Sequence, residues 1–192
     1  MTTRQEGQYK AVPESLAVVQ ALVNTQYGQG RYAHTELTSP EQLRAWLVGY
    51  GLLKEGEPVS EGDLRRVLQL REALRSLLRA NVEKEVLTSP IGVLNHLASA
   101  APLKVRFHDD GRGTLEPDIA GVDGALASLI GEVFTAMING TWGRLKVCRY
   151  ERCQKAFYDT SKNRSGVWCS MARCGSRQKA RAYRHRSRVA QD

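Results

Sequence analysis

The sequence predicts a mainly α-helical protein of the α+β class. A helical N-terminal domain with one small β-hairpin is expected, then a C-terminal treble-clef-like metal finger that ends in a basic helix. Three observations predict this. Apolar residues recur at three- and four-residue spacing over most of residues 12–139; one stretch near 103–115 alternates with period two; and all four cysteines of the 192-residue chain lie between positions 148 and 174.

In chain order, PESLAVVQALVNTQ sets Leu16, Val19 and Val23 at helical spacing, with Val12 before them. The loop QGRYAHTEL follows. Ser39-Pro40-Glu41-Gln42 reads as a helix start, with Ser as N-cap and Pro at the first helical position, and Leu43, Trp46 and Leu47 as its apolar face. LLKEGEPVS is a linker. Ser60 opens a long helix expected over about 60–87, with Asp63 at its positive end and Leu64, Val67, Leu68, Ala73, Leu74, Leu77 and Leu78 on its buried stripe. Ser89-Pro90 starts a short helix. Leu103, Val105 and Phe107 alternate with Lys104, Arg106 and His108, turn at Asp109-Asp110-Gly111 and return through Thr114-Leu115, a hairpin signal. Residues 118–139 are helical again, through Ile119, Val122, Leu126, Leu129, Ile130, Val133, Phe134 and Met137, and stop at Asn139-Gly140.

Charge divides the chain at the same place. The net charge is +8, but residues 141–192 hold 14 Lys and Arg against 3 acids, leaving the first 140 residues at −3. A near-neutral domain, 1–140, joined to a basic module, 141–192, points to a polyanion partner for the second. The first part is long enough for its own core, so it is expected to fold without the second. The N-terminal MTTRQEGQYK has no apolar signal region and no run of about 18 apolar residues is evident, so a cytoplasmic protein without a membrane span is expected.

In that compartment clustered cysteines read as ligands. Cys148 and Cys153 form one C-x4-C pair, Cys169 and Cys174 a second, and fifteen residues separate the pairs. Four thiolates in two close pairs suit one tetrahedral, structural Zn²⁺. An iron–sulfur cluster, disulfides or a thiol-based sensor would use the same residues. Phe157-Tyr158 and Val167-Trp168 read as the two strands of a hairpin between the pairs, turning at Asp159–Asn163. Ser170 caps a helix expected over 171–188. So small and charged a segment buries little apolar surface, so metal binding supplies its folding free energy. On that helix Ala172, Ser176, Ala180 and Tyr183 form a small face suited to packing. From Lys162 to Arg188 there are nine Lys and Arg and no acid. Arg164, Arg173, Arg177, Lys179, Arg181, Arg184, Arg186 and Arg188 are the candidate nucleic-acid contacts, with Arg177, Arg181 and Arg164 nearest the bases, because arginine forks grip phosphates and guanine edges.

The run Cys148-x4-Cys153, Phe157-Tyr158-Asp159-x-Ser161-Lys162-Asn163-Arg164, Trp168-Cys169-Ser170-Met171 and Cys174-Gly175-Ser176-Arg177 resembles the CGNR zinc fingers of bacteria. Leu22-Val23-Asn24-Thr25, Leu43-x-x-Trp46-Leu47 and Leu70-Arg71-Glu72-Ala73-Leu74-Arg75 resemble the ABATE domain that precedes those fingers. The family's name motif has Asn where this chain has Ser176. The resemblance implies a stress-related transcriptional regulator: DNA binding by the finger, and signal sensing or dimerisation, as a homodimer, by the ABATE-like domain.

The leading expectation is therefore a zinc-containing DNA-binding regulator, with an RNA- or ribosome-associated zinc protein as the alternative. Tyr150, Phe157, Tyr158, Trp168 and Tyr183 are the aromatics that base stacking would use. No HExxH, P-loop or GxSxG motif is present and a four-sulfur zinc has no open position, so no enzyme is expected. Asn24, Thr25, Arg71 and Arg75 are candidates to line a small-molecule pocket in the N-terminal domain; capping or ion pairing is the competing role.

Overall fold

The computed structural model describes residues 12–84 and 88–189, and omits the side chains of Glu14, Ser15, Tyr32, His185, Arg188 and Val189. The N-terminal stretch read above for a signal region therefore lies outside the described residues. So do positions 85–87, the expected end of the long helix.

Helix α1 (Glu14–Asn24) leads into a two-residue pairing of β1 (Gln26–Tyr27) with β2 (His34–Thr35). That small hairpin was read as plain loop: two-residue strands are too short to show alternation. Helix α2 (Pro40–Gly49) starts as expected, with the Ser39 hydroxyl accepting from the Gln42 N–H. Helix α3 (Glu61–Glu83) starts in a capping box: the Ser60 hydroxyl accepts from the Asp63 N–H at 3.2 Å and the Asp63 carboxylate from the Ser60 N–H at 2.8 Å. It stops at Lys84, in the left-handed region at φ 59°. Helix α4 (Thr88–Ser99), strands β3 (Leu103–Phe107) and β4 (Gly113–Pro117), and helix α5 (Gly121–Ile138) complete the N-terminal part. Gly140, at φ 65°, ends α5 as its sequence signal requires.

The core joins Leu16, Val19, Leu22 and Val23 of α1 to Leu43 and Leu47 of α2. It continues through Leu64, Val67, Leu70, Leu74 and Leu78 of α3 to Val122, Leu126, Leu129 and Val133 of α5. Each such side chain contributes about 1.5–3 kcal/mol by leaving water. The outer part of the expected stripe on α5 is not buried. Ile119 precedes the helix and is exposed, as are Phe134 and Met137. Val105 and Phe107 of β3 also face solvent, although they alternate correctly. Helix α5 is long and apolar enough to cross a membrane by length and composition alone, and half of it is buried against the rest of the fold.

The core does not end at residue 140. Strand β5 (Leu145–Val147) pairs antiparallel with β6 (Ala156–Tyr158), in register Leu145↔Tyr158, Lys146↔Phe157, Val147↔Ala156. The expected strand at 167–168 is not formed; a single Arg149 N–H to Val167 carbonyl bond, 2.9 Å, stands in its place. Alternation gives the β5–β6 hairpin two inner faces. Leu145, Val147, Ala156 and Tyr158 belong to the helical core. Phe157, on the other face, packs with Cys148 and Cys174 in a second small core. One hairpin is thus the wall between helical body and finger.

Helix α6 (Ser176–Val189) follows one wide π-type turn, Met171–Gly175. Its small face does not pack as expected: Ala172, Ser176, Ala180 and Tyr183 are all exposed. Its main packing is against the π-type turn that opens it.

The shared core gives a prediction opposed to the sequence expectation of an independent N-terminal domain. A chain ending at residue 140 loses the burial of Trp142, Leu145, Val147 and Ala156. That is several kcal/mol, so its melting temperature should fall by roughly 10 °C or more against the zinc-loaded full chain. An unchanged melting temperature by calorimetry would show that the two cores are energetically separate.

Candidate metal centre and basic helix

The first cysteine pair sits in the β5–β6 turn. The Cys148 N–H donates to the Lys155 carbonyl at 2.9 Å and the Cys153 N–H to the Tyr150 carbonyl at 2.7 Å, with Gln154 at φ 52° closing the loop. The second pair brackets the π-turn. Ser170 caps it by accepting from the Arg173 N–H, and the Cys174 N–H donates to the Ser170 carbonyl at 2.9 Å. Gly175 leaves room there for the Met171 side chain and the Trp168 ring, which a Cβ would press on. The Ser176 hydroxyl donates to the Met171 carbonyl at 3.0 Å, so the residue that departs from the name motif helps to close the turn.

The four sulfurs lie within 4.8 Å of one another; Cys153 to Cys169 is 3.6 Å and Cys169 to Cys174 is 3.7 Å. A tetrahedral site with Zn–S bonds of about 2.3 Å has S···S edges of about 3.8 Å. The cluster therefore has the dimensions of an S4 zinc site. Its acid–base chemistry agrees. Hydrogen bonds from Cys148 and Cys169 hold the Cys153 thiol low, at about 2. Cys148 and Cys153 push Cys169 far up, and burial followed by the charges of Cys148 and Cys153 pushes Cys174 up to about 12. Four thiolates this close repel one another, so a bound dication is what lets all four ionise together.

Beside the cluster a buried ion pair, which the sequence reading missed, clasps the loop that follows β6. Lys146 and Asp159 are almost fully buried. The Lys146 ammonium donates to the Asp159 carboxylate at 2.7 Å and to the carbonyls of Arg164 and Gly166 at 2.6 and 3.0 Å. Asp159 also accepts from the Ser161 and Gly166 N–H groups. Burial works to raise the Asp159 pKa, but the Lys146 ammonium and the Ser161 and Gly166 donors outweigh it and bring it to about 2. Alternation within Leu-Lys-Val assigns Lys146 to an exposed position. The available signal was Asp159 itself, one of three acids among residues 141–192.

Body and finger are also latched by polar side chains, and here the candidate ligand residues find their role. The Asn24 amide meets both the N–H and the carbonyl of Ala156, at 2.8 and 3.0 Å, as a sheet neighbour would. Arg75, buried, donates to the carbonyls of Val23, Gln26 and Gln154. Burial, helped by the Arg71 charge and opposed by Glu72, draws its pKa down. Arg71 donates to Gln26, Glu72 and the Thr25 hydroxyl, which itself donates to the Leu22 carbonyl at 2.7 Å. Asn81 donates to the carbonyls of Trp142 and Leu145 at 3.1 and 2.9 Å. The Gln29 N–H reaches the Arg152 carbonyl, and the Lys155 ammonium lies 5.3 Å from the Tyr27 ring centre. Asn24, Thr25, Arg71 and Arg75 are thus brought together by these bonds, beside the hairpin. A cleft of about 230 Å³ beside the hairpin is lined by residues that include Arg79, Glu83, Cys148, Arg149 and Gln154.

The candidate nucleic-acid residues are all exposed where described. Arg164, at φ 52°, stands on the clasped loop; Arg173 is in the π-turn; Arg177, Lys179, Arg181, Arg184 and Arg186 are on α6. The side chain of Arg188 lies outside the described residues. Of the finger's aromatics, Tyr150, Phe157 and Trp168 pack with the cysteines and Tyr158 with the helical core, while Tyr183 is 67% exposed.

A helical body sharing a hairpin with a four-cysteine site that opens a cationic helix defines a zinc-finger protein. Sequence comparison is specific: the chain belongs to the ABATE family, described as "Putative stress-induced transcription regulator", whose model matches residues 16–139, and it carries a CGNR zinc finger over residues 144–187. A search of curated proteins gives no match.

Two outcomes follow from this geometry. Purified protein should hold one zinc per chain, and Cys169→Ser should abolish it; metal analysis showing none, or full zinc in the variant, contradicts the S4 assignment. Asp159→Asn leaves the Lys146 charge buried without its partner and should cost about 3–5 kcal/mol in denaturant unfolding at pH 7. Because the folded pKa is depressed, the contribution is complete above the ordinary aspartate value of about 3.9 and is lost as pH falls toward 2. An unchanged unfolding midpoint would mean that the clasp contributes nothing.

Proposed function

We propose that this protein is a cytoplasmic DNA-binding transcriptional regulator, in which the zinc site holds α6 for insertion against duplex DNA and the helical body dimerises or receives the signal. The observation that carries the reading is the surface of α6 and its approach. Every described Lys and Arg from Lys162 to Arg186 is exposed, and no acid lies among them. A solvated surface helix commonly interleaves acids, forming pairs three and four residues apart. A helix with cations alone repels itself until a polyanion meets it. The metal site fixes one end and leaves the rest projecting, which suits a major groove about 12 Å wide.

Roles divide by position. Arg177 and Arg181, near the metal-held end, are assigned to bases or the adjacent phosphates, with Arg164 on the clasped loop beside them. Lys179, Arg184 and Arg186 are assigned to phosphates, and Arg173 joins them. The second reading, an RNA partner, is favoured by one observation: Tyr183 stands exposed among arginines, where it could stack on an unpaired base.

DNA selected from a random pool, titrated with salt against structured RNA, separates the two. On selected DNA, Arg177→Ala or Arg181→Ala should cost about 1–3 kcal/mol and relax preference at one position, while Arg184→Ala should weaken all sequences alike and reduce the salt slope by about one. Tyr183→Ala should have little effect. Tighter RNA binding that depends on Tyr183, with no DNA preference emerging, would replace the reading by its alternative.

A further inference from the structure

Of the alternating residues of β3, Leu103 packs on the core, while Val105 and Phe107 are exposed among the described residues. We propose that the face formed by β3 and the C-terminal half of α5 is the two-fold contact with a second copy of the protein. Val105, Phe107, Phe134, Met137 and Ile138 make up its apolar surface, between 45% and 80% exposed, with Phe107 the highest.

These five side chains lie together because hairpin and helix run on side by side. Gly124 sits against Pro117, and Gly131 against Leu103 and Leu115. Seven residues of helix thus advance the contact from Pro117 to Leu115. The same advance leads from Gly131 to Ile138 and from Leu115 to Gly113, the residue paired with Phe107. Gly131, Phe134 and Ile138 share one helix face, and Leu103, Val105 and Phe107 share one strand face. The inner members of both sets, Gly131 and Leu103, lie against each other, and the outer members are the exposed ones.

Area and charge identify the occupant. The five side chains expose on the order of 500 Å² of apolar surface, at the upper end for the largest patch on a monomer. Two such faces together supply roughly 1,000 Å², close to the apolar content of a standard stable interface. The face carries no Lys or Arg of its own: Lys104 and Arg106 lie on the other side of β3, where they pair with Asp118 at 2.8 Å and Glu116 at 2.6 Å, and the turn sets Asp109 and Asp110 beside Arg112. A nucleic acid or an anionic membrane selects a surface rich in cations, which this face does not offer. A second copy of the same face brings apolar surface to apolar surface. Such a contact is isologous and closes at two chains. It places two arginine helices on one particle, which deepens the reading of the body as dimerising; it is measured without nucleic acid, so its failure leaves the reading of α6 standing.

The test is sedimentation velocity on the zinc-loaded full chain, with Phe107→Glu and, separately, Ile138→Gln. Both side chains are mostly exposed, so melting curves should match the parent, and either variant suffices if the other folds poorly. The parent should pass from monomer to dimer between about 1 and 100 µM, and each variant should need at least about tenfold more protein to dimerise, about 1.4 kcal/mol. A parent that stays monomeric throughout, or variants that dimerise as the parent does, overturn the proposal. So does Phe107-dependent binding of the parent to phosphatidylcholine vesicles without self-association, which would assign the face to lipid.

Discussion

Four sulfurs confined to one tetrahedron are the constraint on which the C-terminal half depends. Residues 148–189 bury one small apolar cluster of Cys148, Phe157 and Cys174, with Tyr150, Cys153, Trp168 and Cys169 against it. That is too little to offset the conformational entropy of ordering forty residues. Metal–thiolate bonds supply the difference, and they act at two turns at once. One turn closes the β5–β6 hairpin and the other starts the cationic helix, so a single ion fixes the angle between them.

The hairpin then carries that order into the helical body. Its two faces belong to different cores, and its edge is engaged by the Asn24 amide as though by a neighbouring strand. Arg75 and Asn81 satisfy backbone carbonyls of the hairpin and its approaches, which would otherwise be buried without donors. Removing either side chain leaves those carbonyls unmet. The succession of the two family segments along the chain, ABATE then CGNR, thus has a physical counterpart in a shared wall rather than a flexible tether.

Much of this was legible in the sequence because it rests on local rules. The capping residues Ser39 and Ser60, the leucine stripe of α3, the β3–β4 turn and the spacing of the four cysteines each carry their signal within a few residues. What was illegible depends on distant partners. Asn24, Arg71 and Arg75 read as possible ligand contacts because sequence shows donors but not the carbonyls, up to 132 residues away, that they meet. Lys146 alternates like a solvent-facing strand residue, and only the fold brings Asp159 over it. The strand at 167–168 was misplaced because β6 found its partner before the first cysteine rather than after the turn. On β3 and α5 the pattern was read correctly as apolar, but periodicity cannot say whether the covering surface belongs to the same chain.

The central claim is that the zinc site and the helical body are one cooperative structure joined at the β5–β6 hairpin. Hydrogen–deuterium exchange of the full chain, before and after zinc removal by a chelator, tests it most directly. The account predicts that protection is lost in residues 145–189 and also weakens in the segments latched to the hairpin, Glu14–Asn24 and the C-terminal half of Glu61–Glu83. Loss confined to residues 148–189, with the amides of α1 and α3 as protected as before, would contradict it.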